Sequence, residues 1–507
     1  MYTIDRTIRH AGTAFADNLA TIHGDRHQTY RELAGRVASA AALISSISAP
    51  GDRIALWSLN SDRFLELFFA IPAAGRVIVP HNTRWAEPEL VYATEDAGAR
   101  LLIADRDPGG LADSVDRVIR LDTGEYEDLI DAVDATGDSA SALVSPSPDD
   151  LAGLFYTGGT TGRSKGVMLT HANLLANAIH TQLAQPMHAD DRYLTMAPMF
   201  HAAGLYSALA LPLVGGSNVI LPGFDPAIAL DAIEQQAITG AIAVPTMLAA
   251  MCETQAATPR DVSSLRWISH GASPVTLEVL RRTDRLFGCE LIHLYGTTET
   301  APLAAVFRHE ETHLDGDRAK SCGQATPGVE ISVVDASGGA LPTGSVGEVV
   351  VRGPNVMVGY WNKPEQTADA FLDGGWYRTG DVGRLDDDGF LFLVDRAKDM
   401  IVTGGENVYC TEVEDALYTH PAVLEAAVIG IPDEKWGEAV HAVVVSRDGE
   451  TVSEADLIVH CRAQIASYKV PKSVSFNAEP LPKSGPGKVL KRVLREPFWD
   501  GYESSIN

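Results

Sequence analysis

A run rich in glycine and threonine carries the residues of this chain best suited to holding a polyphosphate. It spans residues 156–166 (YTGGTTGRSKG), and its Lys165 is the only lysine among the first 319 residues. Glycines present bare backbone N–H groups, threonine hydroxyls add donors, and lysine supplies a mobile positive charge for phosphate oxygens. The run predicts a phosphate-binding loop formed by Thr157, Gly158, Gly159, Thr160, Thr161 and Lys165.

The spacing within this run differs from that of the common P-loop, G-x-x-x-x-G-K-[ST], where lysine directly follows the last glycine. Here two residues separate Gly162 from Lys165, and Gly166 follows the lysine. The spacing therefore disfavours a kinase-like or switch-like P-loop enzyme. A flexible polar turn is the alternative interpretation of such a run. The isolated lysine and the apolar residues 151–155 before it favour phosphate binding.

A second polar turn carries groups suited to a nucleotide and a metal ion. Residues 295–299 (YGTTE) follow the apolar run 290–294, so a strand is predicted to end in this turn. Tyr295 could stack on a purine, Thr298 could donate to a phosphoryl oxygen, and the Glu299 carboxylate is a hard oxygen ligand suited to Mg²⁺. A strand-end turn with a helix-capping threonine is the alternative for this string taken alone.

Three further motifs follow towards the end of the chain. Asp381 in YRTGD could accept hydrogen bonds from two ribose hydroxyls, and Arg396 in DRAKD could donate to ribose or phosphate oxygens. Residues 403–408 (TGGENV) form a glycine-bearing turn, and residues 482–490 (PKSGPGKVL) place Lys488 on a loop rich in glycine and proline. Ordinary surface turns and a solvated lysine are the alternatives for each string by itself.

Taken in order, these strings resemble the adenylate-forming enzymes: acyl-CoA synthetases, luciferases and the adenylation domains of peptide synthetases. The resemblance extends from about Leu33 to Leu494 and is strongest for the acyl-CoA synthetase, or fatty-acid–CoA ligase, branch. The usual loop there is TSGTTGxPKG, and this chain has Gly158 in place of the serine and Ser164 in place of the proline. The lysine and the threonine pair are kept.

The resemblance implies a role for each matched residue. Adenylate chemistry would use Lys488, Thr298, Glu299 and His201. ATP would be bound by the loop residues above together with Gly271, Ala272, Tyr295, Asp381 and Arg396, and Mg²⁺ by Thr157 and Glu299. Lys398 would be the interdomain hinge, with Gly404 and Gly405 lining the path of CoA. The acyl pocket would include Leu205, Met247, Ser269, His293 and Leu294.

His201 bears on the substrate. It ends the string Met199-Phe200-His201, where amino-acid-activating relatives commonly have Phe-Asp, whose aspartate pairs with the substrate ammonium. A histidine there favours a carboxylic acid without an α-amino group, and a core histidine is the alternative. The acid itself stays open, because medium-chain, aryl and ring-bearing acids all suit the mixed polar and apolar residues expected around the pocket.

The fold expected is α/β. A large N-terminal domain (residues 1–397) would hold parallel-rich sheets covered by helices, and a small mobile α+β domain (residues 398–507) would follow. Helices are predicted at 30–44, 64–74, 412–418, from Thr170 or His171 through Leu174 and Ile179, from Asp225-Pro226 onward, and from the Ser453–Asp456 capping box to Ile465. Strands are predicted at 53–57, 77–80, 241–245, 426–430 and 440–445.

Composition narrows the classes of partner and compartment. A net charge of −27 argues against non-specific binding to nucleic acid or anionic membranes. The five cysteines include no C-x-x-C pair, and the first residues lack the apolar core of a signal peptide. We expect a cytoplasmic protein with no membrane-spanning segment, a small carboxylic acid as its partner, and a homodimer as the assembly to test.

These observations predict an ATP-dependent acyl-CoA synthetase that uses ATP, Mg²⁺ and CoA. The acid would first be activated as acyl-AMP and then transferred to the CoA thiol. Two alternatives stay open: an adenylating enzyme that loads the phosphopantetheine thiol of a carrier protein, and a non-catalytic protein that binds an acyl nucleotide. The presence of both Glu299 and Lys488 argues against the second, because a pure binder needs neither.

Overall fold

The computed structural model describes residues 3–136, 146–157, 164–185, 187–273, 275, 277–309, 314, 316–396, 399–403, 406–433, 436–447, 449–483 and 489–499. The chain divides into two compact units. One consists of Met1–Ile331 with Val351–Tyr377, and the other of Ser332–Val350 with Arg378–Asn507. The domain boundary expected after residue 397 stays a prediction.

The described helices are α1 (Ile4–Ala14), α2 (Tyr30–Ile47), α3 (Asp62–Ala73), α4 (Glu87–Ala97), α5 (Glu125–Thr136), α6 (His171–Ala184), α7 (Ala202–Ala210), α8 (Pro226–Gln236), α9 (Pro245–Ala257), α10 (Leu277–Phe287), α11 (Pro364–Asp369), α12 (Cys410–Tyr418), α13 (Glu454–Arg462) and α14 (Lys491–Trp499). Within the described residues, no helix is both long enough and apolar enough to cross a membrane.

The described strands are β1 (Leu19–His23), β2 (Arg26–Thr29), β3 (Arg53–Trp57), β4 (Val77–Pro80), β5 (Leu101–Ala104), β6 (Arg117–Arg120), β7 (Leu151–Thr157), β8 (Lys165–Thr170), β9 (Arg192–Thr195), β10 (Ser217–Ile220), β11 (Gly240–Ile242), β12 (Trp267–Gly271), β13 (Glu290–Tyr295), β14 (Ala305–His309), β15 (Gln324–Ala325), β16 (Glu330–Val334), β17 (Gly347–Arg352), β18 (Gly359–Tyr360), β19 (Phe371–Leu372), β20 (Trp376–Leu385), β21 (Leu391–Arg396), β22 (Ile401–Thr403), β23 (Glu406–Val408), β24 (Val423–Asp433), β25 (Gly437–Ser446) and β26 (Ser473–Phe476).

Two large sheets organise the first unit. One has the order β15-β14-β13-β12-β11-β9-β10-β1-β2, and the strands from β13 to β1 run parallel. The other has the order β18-β8-β7-β4-β3-β5-β6, and the strands from β7 to β6 run parallel. Every residue of β4 and β5 is buried, as is usual for parallel strands covered on both faces. The predicted α/β class with parallel-rich sheets is confirmed.

Two smaller sheets complete the topology. One has the order β16-β17-β20-β19, with β21 beside β20. The other, in the second unit, has the order β23-β22-β25-β24, with β26 beside β25. In it α12 and α13 pack with β24 and β25 around a core that includes Val413, Leu457 and Val440. This arrangement is the α+β fold expected for the end of the chain.

Local capping explains why several predicted elements are present. Thr29 and Glu32 form a capping box that opens α2, and Asp225 caps α8 with Pro226 in its first turn. The Ser453–Asp456 box opens α13 as predicted, although this helix ends at Arg462 rather than Ile465. Thr170 or His171 was predicted to cap α6, and Thr170 is the residue that caps it.

One strand prediction is wrong in its second half. Residues 241–245 were expected to be a strand, but β11 ends at Ile242 and Pro245 begins α9. The apolar run cannot distinguish a strand from a strand followed by a helix. Proline decides the matter, because its fixed φ and missing N–H suit the first turn of a helix.

Candidate active site

The predicted phosphate loop connects two neighbouring antiparallel strands. Thr157 at the end of β7 and Lys165 at the start of β8 are paired in register. The Ser164 hydroxyl donates to the carbonyl oxygen of Thr157 at 2.5 Å. Gly158, Gly159, Thr160 and Thr161 lie outside the described residues. The serine that replaces the family's proline therefore helps to close the base of the loop through a hydrogen bond.

An aromatic residue links the loop lysine to the predicted metal ligand. The Lys165 ammonium lies 4.8 Å from the centre of the Tyr360 ring, and the Tyr360 hydroxyl donates to Glu299 Oε1 at 2.9 Å. Burial first, and then the Glu299 charge, raise the pKa of Tyr360, so its hydroxyl stays protonated and can donate. Tyr360 was not predicted from the sequence, since nothing near it in the chain distinguishes it from any aromatic residue on a strand.

Two buried asparagines fix the turn that carries Thr298 and Glu299. The Asn355 side-chain amide donates to the carbonyl oxygens of Thr300 and Leu303, both at 2.7 Å. The Leu303 N–H in turn donates to Asn177 Oδ1 at 3.1 Å. One amide side chain can hydrogen-bond to several backbone groups at once. These two residues therefore fix an irregular segment whose backbone groups are not paired as they would be in a sheet. These asparagines were not predicted from the sequence, because an isolated asparagine carries no distinctive signal.

Parallel strands bring the predicted adenine-binding segments side by side. β12 and β13 are neighbours, with Gly271 opposite Leu294. Gly271-Ala272 and Tyr295 therefore lie at the carboxyl ends of adjacent parallel strands, where open α/β sheets bind ligands. A Cβ atom on Gly271 would lie 2.2 Å from the carbonyl oxygen of Leu294, so only glycine fits this backbone.

His201 lies at the start of α7 and is held through its neighbours. The Asn60 amide donates to the Ala197 carbonyl at 2.9 Å, and its oxygen accepts from the Met199 N–H at 2.7 Å. The carbonyl of His201 accepts from the Gly204 N–H at 2.8 Å. Burial lowers the pKa of His201 to about 4, so the imidazole is neutral near pH 7. Asn60 is a further residue of this region that was not predicted from the sequence.

The residues predicted for the acyl pocket occupy two faces of the sheet. Leu294 packs with Ile292 and Tyr206, whereas Met247 packs in a cluster with Ile268 and Leu291. Consecutive strand residues point to opposite faces, so His293 lies on the face opposite Leu294. Ser269, paired with Ile292, shares the Leu294 face, and Leu205 is buried in α7. One wall cannot contain all five, and their common role stays a prediction.

Three histidine rings stack on the His293 side of the sheet. The ring centres of His270 and His293 are 4.8 Å apart, and those of His270 and His309 are 5.3 Å apart. His293 Nδ1 lies 3.0 Å from the carbonyl oxygen of Ser321. Burial lowers the pKa values of His270 and His293, which keeps both rings neutral. Two rings of this stack, those of His270 and His293, therefore carry no formal charge near pH 7.

In the second unit, the two residues predicted to hold the ribose are opposite one another. Asp381 on β20 and Arg396 on β21 are register partners in an antiparallel pair. The Asp381 N–H donates to the Thr379 hydroxyl at 3.0 Å, and that hydroxyl donates to the Val349 carbonyl at 2.7 Å. Lys398, Gly404, Gly405 and Lys488 lie outside the described residues, so their roles stay predictions.

The first unit offers oxygen ligands that suit Mg²⁺. Glu299 supplies a carboxylate whose orientation is set by Tyr360, and Thr157 supplies a hydroxyl beside the loop. The described residues include no group of three or more His, Cys, Asp or Glu side chains arranged to hold a metal. One carboxylate and one hydroxyl fit magnesium, which takes one or two carboxylates and completes its shell with substrate phosphates and water.

Comparison with known proteins identifies the family. The model of the AMP-binding enzymes matches residues 8–361, and that of the AMP-binding enzyme C-terminal domain matches residues 412–488. The chain is 41% identical to feruloyl-CoA synthase from an Amycolatopsis species over 485 residues, which cover 94% of this chain and 96% of that protein. It is 35% identical to the fatty acid–[acyl-carrier-protein] ligase ScoC of Streptomyces coeruleorubidus, covering 95% and 94% of the two chains.

The fold agrees with a solved structure of this kind. ATP-bound MatB from Rhodopseudomonas palustris superposes with a TM-score of 0.90 at 33% identity, covering 99% of this chain and 100% of the other. O-succinylbenzoate coenzyme A synthetase (MenE) from Bacillus subtilis, in complex with ATP and a magnesium ion, superposes with a TM-score of 0.84 at 30% identity, covering 96% of this chain and 98% of the other. The expected use of ATP, Mg²⁺ and CoA is confirmed by these relatives. The chain therefore belongs to the AMP-binding, adenylate-forming enzymes and is an acid–thiol ligase of their acyl-CoA synthetase branch.

Proposed function

We propose that this enzyme activates a carboxylic acid bearing an aromatic ring, forming its acyl-adenylate, and transfers the acyl group to CoA. The observation that carries the substrate class is the 41% identity with feruloyl-CoA synthase across 94% of the chain. The neutral rings of His201, His270 and His293 are compatible with an acid that carries oxygen substituents on its ring but no ammonium group.

In the first half-reaction, the substrate carboxylate attacks the α-phosphorus of ATP and pyrophosphate leaves. Negative charge grows on the phosphoryl oxygens, so fixed positive groups and donors lower the barrier. Lys165 and Lys488 would supply charge, and Thr298 a hydroxyl donor. Thr157 and Glu299 would hold Mg²⁺, which would neutralise further negative charge on the phosphates.

In the second half-reaction, the CoA thiol attacks the acyl carbon and AMP leaves. Adenylation makes this step feasible, because AMP is a much better leaving group than oxide. By resemblance to the family, the C-terminal domain would turn about Lys398, withdraw Lys488 and bring Gly404 and Gly405 to the pantetheine chain. Glycine suits that position because it leaves room for the chain to pass.

A panel of carboxylic acids tests the substrate class. Hydroxycinnamic, benzoic, arylacetic, medium-chain and long-chain acids are offered with ATP and Mg²⁺, and pyrophosphate release is measured, followed by detection of the acyl-CoA by mass spectrometry. We expect the hydroxycinnamic acids to have the highest kcat/KM. A higher kcat/KM for saturated fatty acids would refute the proposal of an aromatic substrate but would leave the acyl-CoA ligase activity in place.

A second candidate function is loading of a carrier protein. The 35% identity with ScoC, a ligase named for an acyl-carrier-protein acceptor, favours keeping it. Free CoA and a phosphopantetheinylated carrier protein, supplied separately with the same acid, distinguish the two acceptors. Thioester formed with the carrier and not with CoA would replace the proposed acceptor. If the enzyme released pyrophosphate with none of the acids offered, the non-catalytic alternative would be favoured.

A further inference from the structure

Tyr360 contacts both the loop lysine and the predicted metal ligand through different parts of one side chain. Its ring face lies under the Lys165 ammonium at 4.8 Å, and its hydroxyl donates to Glu299 Oε1 at 2.9 Å. Three residues widely separated in the chain therefore meet at this ring. The two contacts are chemically separable, because one uses the π face and the other uses the hydroxyl.

The backbone around Tyr360 ties this side chain to the phosphate loop. Tyr360 pairs with Val167 on β8, the strand that begins at Lys165. Its N–H donates to the Thr367 hydroxyl at 2.9 Å, and the next N–H, of Trp361, donates to the Gly166 carbonyl at 2.8 Å. Tyr360 itself is only 9% exposed. The ring is therefore a fixed support rather than a mobile surface group.

Each contact restricts a group that would otherwise sample several orientations. A lysine has a long flexible stem, and an aromatic face below its ammonium limits where the charge can lie. A carboxylate that accepts a hydrogen bond on one oxygen has its plane set, which is how groups outside the metal's own shell orient a ligand. The same tyrosine thus acts on charge placement and on ligand orientation.

We propose that Tyr360 is a positioning residue for Mg–ATP, presenting Lys165 to the phosphates through its ring and orienting Glu299 towards the metal through its hydroxyl. This inference rests on the proposed use of the site for ATP-dependent activation of an acid. It assigns the two effects to different atoms, so two substitutions separate them.

The test uses the full-length enzyme and measures ATP binding by calorimetry, in EDTA and across a magnesium titration. Tyr360→Phe keeps the ring and loses the hydroxyl. We expect the Mg²⁺ concentration for half-maximal enhancement of ATP binding to rise about tenfold, within the range typical for loss of a group that orients a metal ligand. ATP affinity in EDTA should stay within about twofold of the wild type, the precision with which independent effects separate.

Tyr360→Leu removes both contacts, so ATP affinity in EDTA should fall as well. Tyr126→Phe is the matched control, because Tyr126 is another buried tyrosine whose hydroxyl donates to a carboxylate, that of Glu66. Its magnesium titration should match the wild type. Thermal melting establishes that each variant is folded.

An unchanged magnesium titration in Tyr360→Phe would overturn the role of the hydroxyl. Equal ATP affinity of Tyr360→Leu and Tyr360→Phe in EDTA would overturn the role of the ring. Because binding is measured without an acid, either failure is distinct from failure of the proposed function, which would be absence of pyrophosphate release by the wild type with every acid offered.

Discussion

The Glu299 carboxylate has one oxygen engaged by the Tyr360 hydroxyl at 2.9 Å, and its backbone carbonyl accepts from the Met357 N–H at 2.8 Å. The residue is thus fixed at both its main chain and its side chain. A fixed anionic oxygen near the predicted phosphate loop would suit a metal that is bound partly through substrate phosphates.

Glu299→Gln keeps the shape of this side chain and removes its charge. Since Mg²⁺ prefers anionic oxygen ligands, we expect the magnesium requirement for pyrophosphate release to rise about tenfold or more while ATP still binds. A magnesium titration of the initial rate measures this. Coincident wild-type and variant titrations would assign Glu299 to structure alone.

His201 is proposed to influence the choice of acid. Its pKa is lowered to about 4 by burial, so near neutral pH the imidazole is uncharged and cannot form an ion pair with a substrate ammonium. An α-amino acid would bury an unpaired charge, at a cost of several kcal/mol. We expect phenylpropanoic acid to have a kcat/KM at least about a hundredfold above that of phenylalanine, since 1.4 kcal/mol corresponds to tenfold. A preference for the amino acid would reverse the interpretation of this pocket.

At the scale of elements, the short turn after β13 is placed by close backbone contacts as well as by Asn177 and Asn355. A Cβ atom on Gly296 would lie 1.8 Å from the carbonyl oxygen of Pro302 and 2.7 Å from the Thr300 hydroxyl. Glycine at this position lets the turn fold back on itself. The orientation of Thr298 and Glu299 therefore depends on a missing side chain.

Gly296→Ala should displace that turn. We expect kcat for pyrophosphate release to fall by about a hundredfold, the effect of a small misplacement of catalytic groups. Gly35→Ala is the control, because a Cβ on that α2 residue meets nothing within 4 Å and alanine favours the helix. It should retain wild-type kcat and melt at the same temperature or higher. Wild-type kcat in Gly296→Ala would contradict the close packing described for this turn.

At the scale of the whole molecule, buried histidines make stability depend on pH. His81 is fully buried, its Nε2 lies 2.7 Å from the Thr94 hydroxyl, and burial lowers its pKa to about 4. Between about pH 6.5 and pH 4, the unfolded chain binds a proton at this residue and the folded chain does not. Stability therefore falls as the pH falls through that window.

Denaturation midpoints measured from pH 7 to pH 4 test this. Because of His81, the free energy of unfolding should be about 3 kcal/mol lower below about pH 4 than near pH 7, since one pKa unit corresponds to about 1.4 kcal/mol. His81→Leu should show a shallower loss of stability with falling pH than the wild type. Buried His270 and His293 act in the same direction, so some slope should remain. If stability changed with pH identically in the variant and the wild type, His81 would bind its proton as readily in the folded state as in the unfolded state, which would contradict the lowered pKa.

The sequence by itself was sufficient to predict the features that depend only on residues close together in the chain. The predicted phosphate loop, the YGTTE turn and the later motifs are short strings whose expected chemistry was inferred from residue type and spacing, and their order predicted the family. The α/β class and most helix starts followed equally, because caps such as Asp225-Pro226 act over a few residues. The strand predicted at 241–245 was wrong, because one apolar run contains both the end of β11 and the start of α9.

Tertiary structure alone decided which distant residues meet. Nothing near Tyr360 in the sequence indicates that its ring lies beneath Lys165 while its hydroxyl reaches Glu299. The parallel sheet likewise placed His293 and Leu294 on opposite faces, dividing a set that resemblance had grouped together. The physical reason is range: a backbone conformation is determined over a few residues, whereas a contact between distant segments exists only after strands pair and side chains pack.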